Sequence, residues 1–79
     1  MKDKIKNRLQ ECATLFEFDY HGKTGNIDPY YIKEGVCEYL LFFDGEETMI
    51  YNIDDVMNTP FFDGKSLAEI SDEIEIDSW

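Results

Sequence analysis

One histidine, two cysteines and a Gly-Lys-Thr triplet are the groups in this 79-residue chain whose types and spacing could do chemistry. Gly22-Lys23-Thr24 has the form of the end of a phosphate-binding loop. Such a loop needs a further glycine five positions before Gly22, so that bare backbone amides can cradle phosphates. Glu17 stands there instead, and its carboxylate repels a triphosphate. A calcium loop around Gly22 would use Glu17, Asp19 and His21 at ligand positions one, three and five, with Asp28 at twelve. Those loops open on Asp and close on a bidentate Glu, and here Lys23 falls inside the ring. His21 has Asp19 nearby, but a hydrolase also needs an activated nucleophile and oxyanion donors. Cys12 and Cys37 fall on apolar faces of the expected elements, which reads as buried thiols. Paired carboxylates identify glycosidase chemistry only where a cleft sets their separation. The expectation is a non-catalytic protein with no cofactor and no metal.

Charge is the strongest bulk signal. The formal net is -11, from 18 acidic and 7 basic residues. Residues 1–43 carry six Lys or Arg against seven acids, and residues 44–79 carry one Lys against eleven. Such a field disfavours direct contact with nucleic acid or an anionic membrane and steers a basic protein partner inward. Tyr20, Tyr30, Tyr31 and Tyr39 could stack on bases, but the basic track that should accompany them is missing. The longest apolar run, Tyr39 to Phe43, is far short of the ~20 residues that cross a bilayer. The Lys-rich start lacks the core of a signal peptide. With few cysteines, these features give the expectation of a cytoplasmic protein.

The chain must position these groups with few elements. Ile5, Leu9, Cys12 and Phe16 recur at helical spacing, which predicts a helix over 2–13 with Lys2, Lys4, Lys6 and Arg8 on its other sides. Its basic amino end opposes the helix dipole and suggests an answering acidic surface. Leu15 to Tyr20 alternates as a strand, residues 21–26 read as a turn, and 27–32 as a second strand, which Pro29 marks as an edge or a start. Residues 37–51 form the central hairpin about Asp44-Gly45. A two-residue turn there sets Tyr39, Leu41, Phe43 and Ile50 on one side and Leu40, Phe42, Met49 and Tyr51 on the other. Asn52 to Asp55 and Ser66 to Glu69 are capping boxes that open two short helices, the first ended by Pro60. The tail, 75–79, finishes a helix or lies along a sheet edge.

Together these predict one small two-layer α+β domain over 1–79: an amino-terminal helix, an antiparallel sheet of three or four strands around the 37–51 hairpin, and two short carboxyl-terminal helices. The functional expectation is a protein–protein interaction or regulatory module. Its candidate contacts are Phe61, Phe62 and Trp79, rimmed by Glu46, Glu47, Asp54, Asp55, Glu69, Asp72 and Glu73. The alternatives are a nucleic-acid-mimicking inhibitor or immunity-type protein that sets these carboxylates, with Glu75 and Asp77, against a basic partner, and a self-associating module that forms a homodimer.

Overall fold

The structure, a computed structural model, describes residues 2–78. Helix α1 (Lys2–Gln10) precedes four strands joined by tight turns: β1 (Phe16–Tyr20), β2 (Lys23–Lys33), β3 (Val36–Phe43) and β4 (Glu46–Ile50). Two short helices, α2 (Ile53–Asn58) and α3 (Leu67–Ile70), then lead to β5 (Glu75–Ser78). The sheet is antiparallel in the order β4-β3-β2-β1-β5. The α+β class and the central hairpin are as predicted. The fifth strand comes from the tail, which lies along the free edge of β1 instead of extending a helix.

Tight turns dictate the meander. His21-Gly22 and Asp44-Gly45 each place two successive residues at positive φ, the conformation that matches the right-handed twist of the flanking strands. The expected turn over 21–26 is therefore only two residues long, and β2 starts at Lys23. Pro29 lies inside β2, which has neighbours on both sides. Residues flanking a two-residue turn form a hydrogen-bonded pair, so from Tyr20–Lys23 onward the odd positions of β2 point their amides at β1. The last of these partnered by β1 is Ile27. Pro29 comes two residues later, where β2 has outrun β1, and its missing N–H costs no ladder bond. The edge inferred from Pro29 is local to that stretch.

Alternation along the strands sends Phe16, Phe18, Tyr20, Ile27, Tyr39, Leu41 and Phe43 to one face, all buried. Ile5 and Leu9 of α1, Val56 and Met57 of α2, and Leu67 and Ile70 of α3 close over them. Phe62 is fully buried at the centre, edge-on to Phe18, Phe43 and Phe61 with ring centroids 5.4–5.6 Å away. Gly25 stands opposite Phe18, and a Cβ there would sit 2.6 Å from the ring, so glycine makes room for the aromatic.

The helices obey their caps. Asn52 accepts the Asp55 amide at 2.9 Å and donates to the Asp55 carboxylate at 2.7 Å. Ser66 and Glu69 form the reciprocal box at 3.0 and 3.2 Å. Helix α1 ends at Gln10, earlier than predicted, because Cys12 turns to φ +55. The cysteines are not separate buried thiols. Cys12 and Cys37 are joined in a disulfide that ties the end of α1 to the start of β3. Periodicity within each element could not reveal that the two ends meet.

Candidate interaction surface

Among the described residues every helix lies on one side of the sheet, and none covers its other face. The strand register assigns it Glu17 and Asp19 of β1, Thr24, Asn26, Asp28 and Tyr30 of β2, Glu38, Leu40 and Phe42 of β3, and Glu47 and Met49 of β4. Glu75 stands opposite Asp19 on β5. Asp77 joins it beside the irregularity between Glu17 and Phe18. Among the described residues the register puts one cation on this side, Lys33, opposite Val36 at the tip of the β2–β3 hairpin.

The face has two halves. Leu40 pairs with Met49 and neighbours Phe42, forming a half-buried apolar patch over β3 and β4. Carboxylates crowd the β1–β5 half. Asp77 is held above the usual aspartate range, first by desolvation and then by the charges of Asp19, Glu17 and Glu75. Thr24 donates its hydroxyl to Asp19 at 3.3 Å. Between the halves, the Tyr30 hydroxyl bonds to Asp28, which raises the tyrosine's pKa, and Glu47 adds to the rise. A partner that meets this face finds apolar contact beside unneutralised negative charge.

The residues singled out in the sequence are scattered by the fold. Glu47 lies on the open face. Glu46 sits at the base of the β3–β4 turn and, with the half-buried Phe61, lines a shallow hollow beside Asp44 and Asp63. Asp54 and Asp55 occupy the first turn of α2, and Asp54 pairs with Lys6 of α1 at 3.1 Å, so part of the basic helix is answered within the molecule. Glu69 is tied into the Ser66 cap, which lowers its pKa. Asp72 and Glu73 follow α3 on the exposed helical side. Phe62 is core and has no surface to offer. Trp79 lies outside the described residues. Sequence reasoning missed Glu17, Asp19, Asp28 and Glu38 as surface partners. Their alternation with buried aromatics was visible, but the pairing of β5 beside β1 was not.

The catalytic candidates have structural employment. Lys23 reaches the Asp63 carboxylate at 2.9 and 3.1 Å and Asp44 at 3.7 Å, and passes over the Phe43 ring at 5.9 Å. His21 stacks on Tyr20 with ring centroids 4.0 Å apart. No helix of the described residues is long and apolar enough to cross a membrane. No protein-family model matches this chain, and no curated protein or solved structure matches it.

Proposed function

We propose that the chain is a non-catalytic interaction module whose open sheet face binds a basic protein. The observation that carries this is a face that, among the described residues, no helix covers, where a Leu40–Phe42–Met49 patch adjoins Glu17, Asp19, Glu75 and Asp77 and the register places one peripheral lysine. Apolar contact supplies affinity, and the carboxylates steer the encounter and reject acidic competitors. Support for a non-catalytic role comes from the employment of Lys23 in ion pairs and of both cysteine sulfurs in one bond.

A nucleic-acid-mimicking inhibitor is the sharper form of the same proposal. Residues two apart on a strand lie about 6.8 Å apart, so Glu17 and Asp19 form a short row of charge beside that of β5. A homodimer through this face opposes like charges and is disfavoured, although the outer edges of β4 and β5 stay open to pairing. The cytoplasmic placement expected from the cysteine count sits poorly with a Cys12–Cys37 disulfide, which favours an oxidising compartment.

The test is capture of a basic protein from host extract by three forms of the chain: unaltered, open-face variant (Glu17→Gln, Asp19→Asn, Glu75→Gln, Asp77→Asn) and helix-side variant (Asp54→Asn, Asp72→Asn, Glu73→Gln). Capture at about 50 mM salt by the unaltered and helix-side forms, with loss from the open-face variant and at about 500 mM salt, is the expected result. Equal loss from both variants contradicts the assignment of the face.

A further inference from the structure

On the helical side, away from the open face, α1 and α2 stop short of the projecting β2–β3 hairpin. They leave a cleft of about 580 Å³, within the range of small-ligand sites. Tyr39 of β3 forms its floor and is 3 % exposed. Tyr31 of β2 and Tyr51 after β4 also line it and are 65 % and 68 % exposed. The Cys12–Cys37 disulfide and Glu11 are part of its lining. The carboxyl end of α1, the negative end of its dipole, opens on the same space. Among the described residues no lysine or arginine lines the cleft.

Each feature has the same sign. Tyrosine rings present negative faces, and a cation within about 6 Å of such a face is attracted to it. Glu11 and the helix end add to that field, although Glu11 also meets Arg8 at 3.5 Å, which takes part of its charge. The opposing influence, the amino end of α2, is already offset by Asp54 and Asp55, and the Asn52 side chain is engaged with Asp55. An anion would meet the Glu11 carboxylate and a net charge of -11. A bare metal ion would find one carboxylate and neutral phenols. A cation that carries apolar carbons satisfies both the rings and the charge.

We propose that this cleft binds a small organic cation, an alkylammonium or quaternary ammonium group, against Tyr31 and Tyr51. The site is separate from the open face, and its failure would leave that assignment untouched.

The test is titration of the full chain with choline at constant ionic strength, against 3,3-dimethylbutan-1-ol as the neutral isostere, followed by the tyrosine ring resonances. Choline is expected to shift Tyr31 and Tyr51 saturably, with a Kd on the order of 1 mM. The neutral alcohol is expected to bind at least about five-fold more weakly, and Tyr31→Ala and Tyr51→Ala to weaken choline about two- to five-fold each. Both tyrosines are exposed, so circular dichroism should show both variants folded. Equal binding of the alcohol, no saturation by about 50 mM choline, or undiminished binding in both variants would overturn the proposal.

Discussion

Lys23 shows how one residue can mislead in sequence and explain itself in space. Its Gly-Lys-Thr setting suggested a phosphate loop, yet the ammonium clasps the tips of two hairpins and the Asp63-Gly64 turn, three points distant in the chain. The Asp63 hydrogen bond, more than any other influence, raises its pKa. A raised lysine pKa contributes stability in full below the unfolded value near 10.4, and the contribution disappears as pH rises through the folded value. Lys23→Met should therefore lower Tm at pH 7, and the deficit should shrink in melts recorded at increasingly alkaline pH. Gly25 is another residue that the sequence reading placed in a turn. It is a strand residue beneath Phe18, so Gly25→Ala should destabilise by about 1–3 kcal/mol in urea unfolding, since the ring must move off its packed position.

Elements were legible where local chemistry decides them. The Ser66–Glu69 capping box formed, Asn52 capped α2 but holds the Asp55 carboxylate through its side-chain amide rather than its backbone N–H, and the Asp44-Gly45 hairpin put Tyr39, Leu41, Phe43 and Ile50 on one face as the period required. Elements were illegible where a distant partner decides them. Residues 75–78 alternate weakly and become a strand because β1 has a free edge, and the two cysteines pair because the fold brings the end of α1 to the start of β3. The bond closes a sequence separation of 25 residues. Replacing both with serine should cost about 3 kcal/mol in denaturant unfolding, compared with the oxidised form. Ser66→Ala, which leaves the Glu69 amide without its cap, should cost about 1 kcal/mol by the same measurement.

At the scale of the whole molecule, charge sorts by layer and less by position along the chain. The sequence showed an acidic carboxyl half, but folding sets the carboxyl-terminal Glu75 and Asp77 beside the amino-terminal Glu17 and Asp19 on the sheet, and Asp54 beside Lys6 on the helices. The open face was foreseen as a second apolar side of the hairpin; its carboxylates were not. Asp77 has a folded pKa above its unfolded value, so its favourable contribution is present at low pH and is lost as pH rises through the folded value. Glu69 runs the other way, and its contribution is lost as pH falls through a lowered pKa. Asp77→Asn should therefore raise Tm at pH 7, with the gain disappearing in melts at acid pH where the native carboxyl is protonated.

The most direct test of the open face is an amide chemical-shift map of the isotopically labelled chain, titrated with the basic protein it captures. Perturbations should concentrate on Glu17, Asp19, Asp28, Leu40, Phe42, Glu47 and Met49 and fade as salt is raised, with α2 and α3 unmoved. Shifts confined to α1, α2 and α3, with the sheet unchanged, would contradict the account.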